Sequence, residues 1–391
     1  MTLQDPIRYF TEETHIMPCL SVACGDAGHF ACERGGVQDG AGTPLTERSL
    51  FDLASLTKLF TGLTVMRLNE EGRLDLTQPV TAYAPQFKNL ASTTVSQVLG
   101  FEVALTTAER VDTQKTPEAA RQQLFAIRPG EVTGRAYSDM HAMVLKHVIE
   151  GAAQENLLHE VQRIILEPLG MADTFAVVPA ERLSDCVRYD REHRIERGRY
   201  ILREGVAPGV PHDPKAARLY PDFSGHAGLF ATMGDMVKLC QGLLRERVVS
   251  RSTLVEMSRN RTGFRRADGT YQQYLGAQCY VLHPVQYFSE IPVYESEQAI
   301  GLSGFTGHHL SVDVGTGVFV LMLGNRVLDR LTVLLPEAGK SITDYGLDPD
   351  GTGQVLWPDG HRVWSSVDYV HHKDAHFHLS VANVLGLPAR R

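Results

Sequence analysis

The sequence predicts an α+β protein with one antiparallel sheet assembled from both ends of the chain and a mainly helical lobe between them. Two observations carry this. Short strand-like runs stand near the N-terminus and again after residue 270, whereas most segments from 73 to 260 repeat apolar residues at helical spacing. The 391 residues, 43% of them hydrophobic, can bury a large core, and nothing in the composition argues for disorder. The expected organisation is a single domain over 1–391, with a sheet lobe over about 1–60 and 265–391 and a helical lobe over about 61–264. A hairpin-containing C-terminal elaboration occupies 340–366.

Residues 16–24 and 29–33 read as two strands joined by a turn at Gly25-Asp26-Ala27-Gly28. After a polar loop, a helix opens at Phe51–Lys58. Its apolar residues Leu56, Leu59, Phe60, Leu63 and Met66 keep helical spacing until Gly72, which places Ser55 and Lys58 near the edge of the core face. Thr116-Pro117-Glu118 is a helix start and Pro129-Gly130 a stop. Tyr137-Ser138-Asp139 precedes a helical run (Met143, Val144, Val148, Ile149) that ends at Gly151, and a second run (Leu158, Val161, Ile164, Ile165) ends at Glu167–Met171. Residues 182–223 are charged, aperiodic and interrupted by Pro208, Pro211, Pro214 and Pro221, as expected of a long surface excursion that lines a cleft. Ser224–Asp235 leads into an amphipathic helix, and strands are expected at 275–282, 309–314 and 318–323. A hairpin at 354–365 carries both tryptophans, Trp357 and Trp364; packing within a sheet is the expectation, a lid or subunit contact the alternative.

A net charge of -8 excludes the basic footprint of a nucleic-acid binder. The segment Met1–Arg8 lacks the regions of a signal peptide and no apolar run is long enough to span a bilayer, so a cytoplasmic protein without a membrane partner is expected. The six cysteines show no C-x-x-C spacing and read as reduced and structural, with a Cys24–Cys32 bridge as the alternative. His371–His378 reads as a polar face near a terminal helix rather than a metal site. Asp348–Gly353 reads as a turn rather than a calcium loop, since Asp359 stands where a bidentate glutamate belongs. No cofactor and no metal are expected.

Ser55 and Lys58 lie just under one helical turn apart, so hydroxyl and amine share a face. A serine becomes a nucleophile when a nearby base takes its proton, and a lysine serves as that base only when its pKa is lowered. The spacing alone is common. In chain order, however, Ser55-Leu-Thr-Lys58, Tyr137-Ser138-Asp139 and Gly301-Leu302-Ser303-Gly304-Phe305-Thr306-Gly307 resemble the serine β-lactamase, penicillin-binding protein and esterase superfamily, in particular its class C-like branch. Glu167–Met171, Ser224–Thr232 and Leu323–Arg326 extend the resemblance, which runs from about Pro18 to Arg326.

The resemblance implies a β-lactamase/transpeptidase-like fold and an acyl-enzyme formed on Ser55 as nucleophile. Lys58 and Tyr137 share the proton traffic, and which of them is the base stays open. The backbone N–H groups of Ser55 and Phe305 form the oxyanion hole, and Leu302, Ser303 and Gly304 belong to the substrate-binding strand. Asp139, where many relatives carry asparagine, reads as a helix cap. Leu302 is the clearest departure, because relatives carry lysine or histidine there. Losing a charge-assisted hydrogen bond costs on the order of 1.5–3 kcal/mol, which favours neutral acyl substrates; His308 or His309 would be the replacement donor. The implied function is a serine hydrolase, esterase-like, acting on a small ester or amide. A β-lactamase or D-amino-acid peptidase is the enzymatic alternative, and a catalytically impaired penicillin-binding-like sensor the non-enzymatic one. The implied partner is a small acyl compound, with homo-oligomerisation left open.

Overall fold

The computed structural model describes residues 1–220, 222–285 and 290–388; Pro221, one of the prolines of the charged excursion, lies outside them. The principal strands in chain order are β1 (Cys19–Asp26), β2 (Phe30–Gly36), β3 (Glu192–Glu196), β4 (Arg199–Arg203), β5 (Ala299–Gly304), β6 (His308–Asp313), β7 (Val318–Gly324), β8 (Arg330–Leu335), β9 (Gln354–Leu356) and β10 (Arg362–Ser365). The β1–β2 turn closes because the Asp26 carboxylate accepts from the N–H groups of Gly28 at 2.6 Å and His29 at 2.8 Å. On its other edge β1 pairs antiparallel with β7, which joins the two ends of the chain in one sheet of order β5-β6-β7-β1-β2.

Both faces of that sheet are covered. Leu20, Val22, Val320 and Met322 pack against Phe10 near the N-terminus and Phe377 and Val381 near the C-terminus. Cys19, Ala23, Leu321 and Leu323 face the main core, built with helices α1 (Thr57–Glu70), α2 (Asp139–Ala153) and α3 (Met233–Leu244). All six cysteines are free; Cys24 faces Ala31 and Cys32 faces Ala23, so the two thiols are not cross-strand partners. The described residues contain no helix long and apolar enough to cross a membrane.

Several local expectations are corrected. Helix α1 is buried nearly all round, including Thr57, Lys58, Thr61 and Thr64, so Lys58 sits inside the core rather than at its edge. Helix α2 runs through Gly151 and ends where Gln154 turns left-handed at φ 59°. Gly151 is there for space, since a Cβ would lie 1.8 Å from the Tyr83 carbonyl oxygen. Residues 275–282 make only isolated bridges: Gln278 has φ 57°, and a Cβ on Gly276 would meet the Met257 carbonyl oxygen at 2.0 Å. The excursion is not structureless. Its strands β3 and β4 join β8, β9 and β10 in a second sheet of order β9-β10-β8-β3-β4, so part of the predicted helical lobe is sheet. Trp357 is buried against the His193 ring of β3, 4.5 Å away and perpendicular to it.

The segment after the excursion is fixed by close backbone approach. Gly225 has φ 84°, a Cβ on it would lie 2.8 Å from the Ala142 carbonyl oxygen, and its own carbonyl accepts from the Thr61 hydroxyl at 2.6 Å. Gly225→Ala therefore combines left-handed strain with a backbone clash and is expected to cost about 1–3 kcal/mol in urea unfolding. An unchanged unfolding midpoint would contradict this packing.

Candidate active site

The short strand Phe51–Asp52 pairs with Phe230–Ala231 and delivers the chain into a tight turn, Ala54–Leu56, from which α1 continues. Ala54 has φ 46°, a strained conformation for a residue with a Cβ, immediately before Ser55. Asp52 ties this turn to its surroundings. Its carboxylate accepts from Ala54 N–H at 3.0 Å and from His212 N–H at 2.7 Å, while its carbonyl accepts from the Thr306 hydroxyl at 3.1 Å and bonds the His308 ring at 2.7 Å.

The Lys58 ammonium, fully buried, donates to Ser55 Oγ at 2.9 Å, to Asp139 Oδ1 at 2.7 Å and to the His226 carbonyl at 3.3 Å. Burial pulls its pKa down, but the Asp139 carboxylate and the adjacent Tyr137 outweigh that and hold it above the ordinary lysine value. This arrangement favours the charged form of the lysine. Burial likewise opposes charge on Asp139, yet Lys58, His226 and Lys215 keep its carboxyl well below the usual range. Asp139 is not the cap of α2. Ser138 is, its hydroxyl accepting from Met140 N–H at 3.3 Å, which leaves the Asp139 carboxylate for the lysines.

The network continues into the excursion. Lys215 Nζ lies 3.0 Å from Asp139 Oδ2 and 3.2 Å from Asp213 Oδ2; Asp213 Oδ1 lies 3.0 Å from His226 Nε2, whose other ring nitrogen meets Ser224 Oγ at 2.9 Å. Asp139, Asp213 and His226 have metal-ligand geometry, but the two lysine ammonium groups already supply positive charge there. Tyr137 stacks between Phe101 and Tyr280, at ring distances of 5.4 and 5.3 Å, with Lys58 Nζ 5.0 Å from its ring centroid. Its hydroxyl is buried and has no hydrogen-bond partner among the described residues.

At the end of β5, Gly304 lets the strand approach the Ser55 turn, since a Cβ there would lie 3.0 Å from the Leu53 carbonyl oxygen. Phe305 and Thr306 consequently line the same cavity as Ser55. Leu302, Ser303 and Gly304 are not on its wall. Leu302 is sealed in the core, and Ser303 turns to the other side of the strand, hydrogen-bonded to Glu290. Neither histidine replaces the cation expected at 302: His308 is buried on Asp52, and His309 is buried 3.4 Å from Lys373 Nζ. Desolvation pushes both rings down to about 4.

The cavity over Ser55, about 600 Å³, has cationic walls. Arg110, Arg135, Arg194, Arg203 and Lys215 line it against Asp112, Asp139 and Asp213. The excursion supplies Arg194, Arg203, His212, Asp213 and Lys215, as its cleft-lining expectation requires, although sequence gave no reason to single out these residues. The strands of the 354–365 hairpin pack into the second sheet, and none of the residues lining the cavity comes from it.

Across the chain, the Beta-lactamase family model matches residues 7–336. The chain belongs to the beta-lactamase family. It is 26% identical over 339 residues to a Salmonella typhi protein described as "Putative D-alanyl-D-alanine carboxypeptidase", covering 78% of this chain and 76% of that one. Among solved structures it shares its fold with EstCE1, a hydrolase with promiscuous acyltransferase activity (TM-score 0.65, 17% identity, 83% of this chain and 92% of that one). It shares it equally with a class C beta lactamase from Rhodobacter sphaeroides (TM-score 0.62, 18% identity, 83% and 93%). The fold is therefore the α+β, β-lactamase/transpeptidase-like one, and hydrolases surround it.

Asp139→Ala would leave the buried Lys58 without its nearest counter-charge and is expected to destabilise the protein by about 3–5 kcal/mol in urea unfolding at neutral pH. Since the Lys58 pKa is raised in the folded state, its contribution holds below the ordinary lysine range and is lost as pH rises through the folded value; the lowered Asp139 pKa makes its contribution hold above the ordinary carboxylate range and vanish in acid. The difference between the variant and the parent protein should thus be flat across neutral pH and shrink in acid. A variant as stable as the parent at pH 7 would refute the pairing.

Proposed function

We propose that the chain is a serine hydrolase that forms an acyl-enzyme on Ser55 from a small ester or amide. The observation that carries the reading is the 2.9 Å hydrogen bond between the Lys58 ammonium and Ser55 Oγ at the floor of the cavity. Lys58 already holds its proton and cannot take another. In this reading Tyr137 Oη is the general base that takes the Ser55 proton, while the Lys58 charge stabilises the developing negative charge. Ser55 Oγ bonds the carbonyl carbon, the oxyanion is received by the N–H groups of Ser55 and Phe305, and Tyr137 returns the proton to the leaving group. Water then releases the acyl group by the reverse traffic.

A D-amino-acid peptidase is the second reading, favoured by the description of the Salmonella typhi relative. Intact-mass measurement after exposure to a fluorophosphonate, a penicillin and an activated short-chain ester separates the readings. A stable adduct with the fluorophosphonate and turnover of the ester, both abolished in Ser55→Ala, are expected. A persistent penicillin adduct with little ester turnover would favour the peptidase, and modification that survives in Ser55→Ala would overturn Ser55 as the nucleophile.

A further inference from the structure

The family's strand motif places a cation at the position where this chain has Leu302, and that leucine is sealed in the core. The cavity is nevertheless strongly cationic, and its charges come from elsewhere. Arg194 and Arg203 stand on β3 and β4 of the second sheet, whose strands β9 and β10 lie beyond the residues that the family model matches. The two guanidinium groups flank one buried carboxylate, Glu192, at 2.7 and 2.9 Å, and Arg194 lies 3.8 Å from Glu196 as well. Arg194 is also stacked over the Phe305 ring at 5.6 Å, beside the end of β5. His212 shares the Phe305 ring from 5.8 Å and reaches the same Glu192 at 3.3 Å.

The remaining charges of the cavity differ in their partners. Arg110 is held by Asp112 at 2.6 Å, and Lys215 is shared by Asp139 and Asp213. Arg135, exposed and 5.3 Å over the Tyr137 ring, has no carboxylate partner among the described residues. The wall therefore offers guanidinium forks around a nucleophile that itself sits beside a buried ammonium. Planar forks of this kind match the oxygens of carboxylates and phosphates.

We infer that the substrate of the Ser55 site carries, away from its reacting carbonyl, an oxyanion substituent that docks on Arg194 and Arg203, with Arg135 as a further cation at the opening. The inference rests on the acyl-Ser55 reading and replaces the expectation of a neutral substrate drawn from Leu302. The second sheet, with its C-terminal hairpin, is then the scaffold that sets specificity, taking over from the strand motif.

The test compares two chromogenic esters of equal chain length, p-nitrophenyl hexanoate and mono-p-nitrophenyl adipate, which differ in a terminal carboxylate. The adipate ester should have a kcat/KM higher by about 10-fold or more, expressed mainly in KM and falling with added salt. Arg194→Met and Arg203→Met should each reduce that ratio, while Arg259→Met, on a side chain outside the cavity, should leave it intact. Arg135→Met, at an exposed position without an ion pair, keeps the test decisive should the sheet variants fold poorly. Competition by inorganic phosphate and by glutarate distinguishes the oxyanion: stronger inhibition by one identifies the substituent class, and inhibition by neither at millimolar concentration contradicts the docking site. Turnover of both esters at equal kcat/KM, dependent on Ser55, would overturn the anion inference alone. Turnover of neither, with no adduct on Ser55, would overturn the acyl-serine reading and this one with it.

Discussion

The buried Lys58 ammonium is the constraint on which the rest of this structure depends. A lone ammonium in a protein interior costs several kcal/mol, and the chain meets that cost by bringing segments far apart in sequence to one nitrogen. Ser55 arrives one turn earlier on the same stretch, Asp139 from the first position of α2, and the His226 carbonyl from the segment after the excursion. Tyr137 is carried in with Asp139 because the two lie two residues apart at the start of one helix. The charge thus organises the packing, and the packing keeps the charge dry.

The same logic explains why the excursion is ordered. Lys215 and Asp213 extend the charged network outward from Asp139 to His226, and Asp52 holds His212 by its backbone. A segment with so many charges would remain solvated without these partners. Anchored by them and by β8, it becomes a wall of the cavity, with Arg194 and Arg203 on adjacent strands. Family membership accounts for the floor of this cavity, while the second sheet accounts for its opposite wall.

Much of the frame was legible in the sequence because it depends on local patterns. The β1–β2 hairpin, the strands near 309 and 318, the helix start at Thr116, the amphipathic helix after Asp235 and the order of Ser55, Lys58 and Tyr137 all follow from spacing or motif. What could not be read depends on contacts between distant segments. Asp139 resembles a cap in sequence, and only the position of Lys58 shows why it is an acid. Leu302 occupies a motif position, but strand direction turns it into the core, where its lack of charge is simply what burial requires. The strands of the excursion were missed because they are short and charged: β3 has Ile195 as its one apolar residue and β4 has an arginine at each end, two of these side chains, Arg194 and Arg203, lining a polar cavity. The arginine forks had no local signal beyond a charged, proline-rich stretch.

The charge state of Lys58 is the centre of the account, and it can be observed directly. The Nζ resonance of Lys58, assigned by comparison with Lys58→Arg in protein carrying isotope-labelled lysine, reports its protonation as pH is raised. The structure predicts an ammonium throughout the neutral range that titrates later than the exposed lysines. A Lys58 that is neutral at pH 7 would contradict the pairing with Asp139 and return the lysine to the role of free base.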